Sequence, residues 1–487
     1  MCPFIPMYTL LHMSKGKTLL KDTFIYGIGN FGSRLLGFLL LPFYTGIFSK
    51  RDYGYLDLIL MGSTLFIVVV SLKLFEGAYR FLWDAKTEEE RRDMVSSVLN
   101  LILLNFLLLS GVCFIVFKLT GFEFLYGGLI FFWLLIRLFG EYFQQAARAF
   151  GKNHIFSVSG IVLAVSMLLL NFLFLGCYKF KVAGFIWAMV ISHLLSLVYC
   201  VYAGSFITYY RPNKLSSKII IPLLKYSLPL LPTAVSWWLI RVAGRYFLSY
   251  FHGLELVGIY AVSDKLPVML YMINMTFYMA WQDMVIRHFN DKGKDDFLSG
   301  VMATYVRIGL SIVTIITVLL KPFFMLMVNG AYHEAHIYVP WLLVAVFVLC
   351  LAGLYDVFFM GAKKTTGILV SALIAAACSI LFNILFVKNY GIWATTVSTF
   401  LSAVVLLGVR VYQLRQQVNI RFNYKEILFL LILWAMACII YKFEGWSYWI
   451  SVLLISGLII RINFDNIKSL FEILRWKLLQ NSIEKQT

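Results

Sequence analysis

The chain has 487 residues, 61% of them apolar and 14% charged, with a mean hydropathy of +0.83. Soluble domains carry about 45–50% apolar and about 25% charged residues, and disorder needs low hydrophobicity, so both classes are excluded. The formal net charge of +18 would suggest nucleic acid in a soluble protein. In a chain this apolar, the charge is first explained by cytoplasmic loops, which collect Lys and Arg during insertion. The composition is that of an all-α polytopic membrane protein with no nucleic-acid partner.

Met1 to His12 lacks the basic stretch of a signal peptide and precedes Lys15, Lys17 and Lys21; Met13 offers an alternative start. A membrane-crossing helix needs about 20 mostly apolar residues. Segments of that kind lie near 22–48, 56–79, 94–118, 124–147, 155–178, 182–205, 226–249, 256–283, 298–320, 338–360, 365–387 and 391–412, with shorter ones at 426–441 and 446–462, which predicts fourteen spans. With the amino terminus inside, the Lys and Arg of the inner segments (Arg91, Arg92, Arg211, Lys214 and Arg410 among them) outnumber those of the outer segments more than three to one. Both termini are therefore expected in the cytoplasm. The tail 466–485 sets Ile467, Leu470, Phe471, Leu474 and Leu478 on one face, the pattern of an amphipathic helix on the inner leaflet.

Two stretches of the chain match. Leu19, Lys21 and Gly54 correspond to Leu223, Lys225 and Gly258 at an offset of 204; Ser159 and Asn171 correspond to Ser371 and Asn383 at 212; Ile186-Trp187-Ala188 and Ser192 correspond to Ile392-Trp393-Ala394 and Ser398 at 206. The predicted organisation is an N-terminal bundle over 1–205, a cytoplasmic linker over 206–225, a C-terminal bundle over 226–416, and two further spans with the tail over 417–487. Six spans per half is even, so the two six-helix bundles are parallel and suit alternating access about a central site.

Seven basic residues fall within spans: Arg34, Lys73, Arg137, Arg241, Arg245, Lys265 and Arg307. Each costs about 2.5–3.5 kcal/mol at mid-bilayer, on the order of 20 kcal/mol together if unpaired, so they face a wet cavity or find partners. Glu76 lies three residues after Lys73 and Glu141 four after Arg137, both pairing distances on a helix. Arg34, Arg241, Arg245 and Arg307 have no acid within a turn. Arg241 and Arg245 form a stripe on span 7, and Asn30 with Arg34 forms its counterpart on span 1. The guanidinium is a planar donor fork suited to phosphate, so a phosphorylated anionic substrate is expected. Against this stands pairing across helices with Glu76, Asp264 or Asp356. Gly27, Gly29, Gly32, Gly37 and Pro42 in span 1, Pro229 and Pro232 in span 7 and Pro267 in span 8 predict bending elements near the substrate path.

Catalytic motifs fail. Gly16-Lys17-Thr18 has Leu11 where a phosphate-binding loop needs glycine, and His333-Glu334-Ala335-His336 is one residue short of a zinc-protease pair. The seven cysteines are scattered, and all but Cys2 lie in apolar runs. No metal, no cofactor and no enzymatic activity are expected.

The stretch Lys21-Asp-Thr-Phe-Ile-Tyr-Gly-Ile-Gly-Asn30, then Arg34, Leu41-Pro-Phe-Tyr44 and Phe48-Ser-Lys-Arg-Asp-Tyr-Gly54, resembles the opening of the bacterial O-antigen and capsule flippases. These form the polysaccharide-biosynthesis branch of the multidrug/oligosaccharidyl-lipid/polysaccharide exporter superfamily. Gly77-Ala-Tyr-Arg-Phe81 with Glu88-Glu-Glu-Arg-Arg92, and Gly258-Ile-Tyr-Ala-Val262, are similar to the same family. The resemblance implies a flippase in the bacterial inner membrane that moves undecaprenyl-pyrophosphate-linked oligosaccharide to the outer leaflet, alongside a polymerase and a chain-length regulator of the pathway. It places Arg34, Lys73, Arg80, Arg241, Arg245 and Arg307 in a cationic cavity. Tyr26, Tyr79, Trp237, Trp238 and Tyr260 would stack on sugars, with the prenyl tail left in lipid. Intramembrane carboxylates are usually functional, so Glu141, Asp264 or Asp356 is expected to carry a coupling ion, H+ or Na+. Two rivals remain. A drug or organic-ion exporter would need a net negative cavity, whereas the core spans hold these seven bases against Glu76, Glu141, Asp264 and Asp356. A membrane glycosyltransferase or polymerase would need a large outer catalytic loop, whereas the longest, about 321–337, offers only Glu334.

Overall fold

A computed structural model describes residues 38–120, 125–212, 214–291, 293–464 and 468. Most of the first expected span, with Asn30 and Arg34, and the expected amphipathic tail lie outside the described residues. Those described are helical throughout, with no strand among them. The helices are α1 (Leu41–Ile47), α2 (Lys50–Ser71), α3 (Leu74–Asp84), α4 (Glu88–Thr120), α5 (Gly127–Ala149), α6 (Asn153–Asn171), α7 (Lys181–Gly204), α8 (Ser217–Ser227), α9 (Leu231–His252), α10 (Leu254–Ser263), α11 (Lys265–His288), α12 (Lys294–Val318), α13 (Leu320–Met327), α14 (Val339–Gly361), α15 (Thr366–Tyr390), α16 (Ile392–Leu414), α17 (Tyr424–Ile440) and α18 (Gly445–Ile462).

Among the described residues, ten spans are long and apolar enough to cross a membrane, eleven if α10 and α11 count as one broken span. The expected fourteen exceed this for local reasons. The first span is largely outside the described residues, α5 carries Arg137, Glu141 and Arg148, and α17 is only 17 residues long. Large apolar side chains such as Leu108, Phe114, Tyr250 and Leu453 are exposed on outer helix faces, where lipid tails replace water as solvent.

Breaks fall where the chain relieves its own backbone. The segment 56–79 is two helices: Leu72 and Lys73 both adopt left-handed conformations, at φ 48° and 59°. Left-handed backbone costs a non-glycine residue about 1–2 kcal/mol, and here it frees the Val70 carbonyl, which accepts from Asn105 Nδ2 on α4 at 3.2 Å. The expected proline kinks are different in kind. Pro229 lies in a 3₁₀ turn (Leu228–Leu230), Pro232 opens α9, and Pro267 sits in the first turn of α11. First-turn N–H groups lack helical partners in any case, so each proline is tolerated at a helix start; the bend expected near Pro267 is present, α10 and α11 meeting at 45°.

Packing divides the described residues into two compact units: one runs to Lys265 and adds Thr366–Leu406, the other holds Leu266–Thr365 and the chain from Leu407. In the first unit α7 lies against α5 and α6, α9 packs on α15, and α10 crosses α2. That crossing is glycine on glycine. A Cβ on Gly54 would stand 2.0 Å from the Leu254 carbonyl oxygen, and one on Gly258 would stand 2.0 Å from the Lys50 carbonyl oxygen. The two contacts are reciprocal, each residue meeting the counterpart of its partner's contact at the offset of 204. The connection between α7 and α8 is pinned to α4. Arg211 N–H donates to Ser96 Oγ at 2.9 Å, Ser216 N–H to Ser97 Oγ at 3.1 Å, and Asn100 Nδ2 to the Lys214 carbonyl at 3.0 Å.

In the second unit α12 packs against α14 and α17. α14 is apolar and buried on nearly every side, as a central helix must be. Polar links tie the helices around it: Trp281 Nε1 of α11 donates to the Leu354 carbonyl of α14 at 3.1 Å, and Tyr305 Oη of α12 to Asn274 Oδ1 of α11 at 2.6 Å.

Candidate functional site

The charges expected to line a watery chamber are, in the described residues, mostly held by carboxylates from other helices. Arg245 of α9 is 3% exposed. Its Nε donates to Asp57 Oδ2 of α2 at 2.9 Å, one terminal nitrogen to Asp264 Oδ2 after α10 at 2.5 Å, and the other to the Arg241 carbonyl at 2.8 Å. The guanidinium lies 4.9 Å from the centre of the Tyr260 ring. Lys265 Nζ lies 5.5 Å from the ring centre of Tyr53, one turn before Asp57 on α2. Two cations and two carboxylates thus form a near-neutral cluster that ties α2 to α9 and α10. In this conformation Asp57 and Asp264 occupy the Arg245 fork expected to meet phosphate, and Tyr260, expected at a sugar, is covered by that guanidinium and 2% exposed.

Arg307, also expected to lack an acid, meets Glu426 of α17 as a two-pronged pair, with one nitrogen at 3.0 Å. Lys73 pairs with Glu76 beside the α2–α3 break, at the three-residue spacing read from the sequence. Arg137 donates to Glu141 at 2.8 Å and to Ser63 Oγ of α2 at 2.6 Å. Arg80 pairs with Asp84 at 3.5 Å with both side chains more than half exposed. Such exposed pairs contribute little, so Arg80→Ala is expected to shift stability by less than about 0.5 kcal/mol, visible as an unchanged melting temperature in detergent. Arg241 is half-buried on α9, one turn before Arg245. Trp238, expected at a sugar, donates Nε1 to the Met61 carbonyl at 2.9 Å, and Arg148 covers the Tyr79 ring at 5.2 Å.

Of the three carboxylates expected to carry an ion, Asp264 is held by Arg245 and Asp356 by Arg410 at 2.7 Å, with 12% and 11% of their side chains exposed. Glu141, at 36%, is the most accessible. Arg410, expected among the inner-loop cations, is a fully buried residue of α16. Asp57, Arg410 and Glu426 are the residues that sequence reasoning missed as partners. Asp57 and Arg410 each lie inside an apolar run, which is a signal in itself. The pairings are out of reach of spacing rules, being separated by 188 residues for Arg245–Asp57 and 119 for Arg307–Glu426.

His333 and His336 serve a short 3₁₀ segment (Gly330–Ile337). His333 Nε2 lies 3.2 Å from the Val328 carbonyl, and His336 stacks on Tyr441 at 3.9 Å. Among the described residues no group of three His, Cys, Asp or Glu side chains is placed to hold a metal ion.

A chain of membrane helices with buried ion pairs linking them, and with only short connections among its described residues, has the build of a polytopic membrane protein. The polysaccharide biosynthesis protein family matches residues 19–282, more than half of the chain, and the chain belongs to that family. Solved structures share its fold. The lipid II flippase MurJ in an inward closed conformation superposes with a TM-score of 0.70 at 17% identity, over 91% of this chain and 100% of that one. An inward-facing multidrug resistance MATE family transporter of the MOP superfamily gives 0.64 at 12% identity, over 79% and 95%. The Vibrio cholerae MATE transporter VcmN in its bent form gives 0.54 at 16% identity, over 82% and 97%. No curated protein sequence matches. At these identities the likeness is one of fold.

Proposed function

We propose that this protein is a flippase for undecaprenyl-pyrophosphate-linked oligosaccharide repeat units, carrying them across the bacterial inner membrane by alternating access of two parallel six-helix bundles, with both termini cytoplasmic. The observation that carries this reading is membership of a polysaccharide biosynthesis family in a chain whose described residues are mostly helical and include ten or eleven helices able to cross a membrane. In such a pathway the step suited to a protein built this way is passage of the lipid-borne intermediate. The drug-exporter reading has only the shared fold in its favour. In the flippase reading Arg241, with Arg34, faces the pyrophosphate, because guanidinium matches phosphate geometry and Arg241 is the half-buried member of the α9 stripe. Arg245 positions α9 through its carboxylates, and Glu141 exchanges the coupling ion.

The test is complementation of a strain lacking the gene. Arg241→Ala is expected to reduce surface polysaccharide to below about a tenth of the parent level at equal amounts of folded membrane protein, with lipid-linked oligosaccharide accumulating on the cytoplasmic leaflet. Arg241→Lys, which keeps charge but loses the planar fork, should fall between the two. Normal polysaccharide with Arg241→Ala discards the headgroup assignment, and normal polysaccharide in the deletion strain discards the flippase.

A further inference from the structure

α5 is 23 residues long, about 34 Å at about 1.5 Å per residue, against a hydrocarbon core of about 30 Å, so it is long enough to cross the bilayer. One side of it is a packing face, with Tyr142, Phe143 and Ala146 buried. The other side is polar. Arg137, Glu141, Gln144 and Arg148 recur at intervals of three and four residues and so share one stripe of the helix. Arg137 stands near the helix midpoint and Arg148 in its last turn, so the stripe runs from mid-membrane depth toward one surface. None of the four is fully buried. A polar stripe at hydrocarbon depth persists only where it lines water or meets a polar ligand. Its members are held differently. Arg137 is satisfied by Glu141 and by Ser63 of α2. Arg148 is set between the rings of Tyr79 and Phe156, at 5.2 and 5.3 Å, and donates to Gln145 Oε1 at 3.1 Å. Gln144 lies between the two, and its amide hydrogen-bonds to nothing among the described residues. An amide offers two donors and an acceptor, and a sugar hydroxyl answers both kinds. Phosphate offers acceptors only and would leave the amide oxygen facing an anion, while an organic cation would stand beside the Arg148 guanidinium.

We propose that the polar stripe of α5 is a sugar subsite, in which the Gln144 amide and the Arg148 guanidinium hydrogen-bond hydroxyls of the carried oligosaccharide. The proposal rests on the transport reading above and adds the residues that read the cargo. Arg241 meets the pyrophosphate, which every intermediate of this kind shares, whereas the α5 stripe makes binding depend on which glycan is attached. A site built to hydrogen-bond a hydroxyl discriminates against a ligand that lacks it, because its own polar groups are then left unpaired. Glu141 keeps its ion one turn deeper, so the sugar lies beside the coupling carboxylate.

The experiment measures binding by the purified full-length protein in lipid nanodiscs, with two probes that share a headgroup. One is undecaprenyl pyrophosphate, and the other is the lipid-linked oligosaccharide extracted from the strain lacking the gene. The parent protein should hold the sugar-bearing probe more tightly than the bare one. Gln144→Leu should weaken the sugar-bearing probe by about three- to tenfold, the worth of one or two neutral hydrogen bonds, and leave the bare probe unchanged. Arg241→Ala should weaken both alike. The Gln144 amide holds no other helix, so Gln144→Leu should melt with the parent; should it fail to fold, Gln144→Ala gives the same reading. Unchanged affinity for the sugar-bearing probe overturns the subsite, and so does an equal loss for both probes. Binding of neither probe by the parent removes the flippase reading and the subsite with it, whereas binding of both, with no effect of the Gln144 variants, removes the subsite alone.

Discussion

Arg245→Ala is expected to remove most folded protein from the membrane. The substitution leaves Asp57 and Asp264 buried around an empty fork, with Lys265 as the nearest remaining cation. Breaking a buried ion pair by deleting one partner costs about 3–5 kcal/mol, a large share of the roughly 5–15 kcal/mol that holds a typical domain. The measurement is the amount and melting temperature of monodisperse protein in detergent. The triple variant Arg245→Leu, Asp57→Asn, Asp264→Asn should recover much of the loss, because it removes the uncompensated charge along with the pair. An Arg245→Ala protein as abundant and as heat-stable as the parent would show that the cluster does not hold α2 to α9 and α10. Loss of polysaccharide in this variant therefore does not report a substrate contact, and Arg241→Ala is the variant that tests the proposed one.

Arg410→Ala is the second large effect. Arg410 is fully buried in α16, faces Asp356 of α14 at 2.7 Å, and donates its other terminal nitrogen to the Ala352 carbonyl one turn earlier. Removing it strands a carboxylate inside the most deeply buried helix of its unit, at a cost of about 3–5 kcal/mol. Arg410→Lys should not restore stability, because an ammonium is a single point of charge and cannot span both acceptors as the guanidinium fork does. Pairing Arg410→Leu with Asp356→Leu should come close to the parent, since an apolar pair of similar volume often replaces a buried ion pair without loss. Melting curves of the three variants decide the matter: equal stability of the alanine and parent proteins would remove the pair as an anchor of α14.

The charged residues show where reading the sequence stops working. Lys73–Glu76 and Arg137–Glu141 were legible because both members sit on one helix, where three- or four-residue spacing brings side chains together. Arg245 and Arg307 were read as cations awaiting an anionic ligand because their acids lie far along the chain, on α2 and α17. Arg410 was misplaced because a base near a span's end reads as a loop residue, and only the neighbouring α14 shows that it is inside. The prolines divide. Pro267 stands just after the 45° bend between α10 and α11, as an expected bending element should, whereas Pro232 opens α9, a helix start whose limits depend on the residues before it.

Composition and apolar periodicity by themselves determined that this is a helical membrane protein, roughly where its helices lie, and that its two halves share matched positions such as Gly54 and Gly258. Those properties follow from transfer energies and local repeats, which each segment expresses alone. The partners of Arg245, Arg307 and Arg410, the double left-handed break at Leu72–Lys73, and the backbone contact between α2 and α10 were decided only by the tertiary structure. A carboxylate's distance from a guanidinium in a low-dielectric interior depends on how whole helices cross, and no local pattern encodes that crossing.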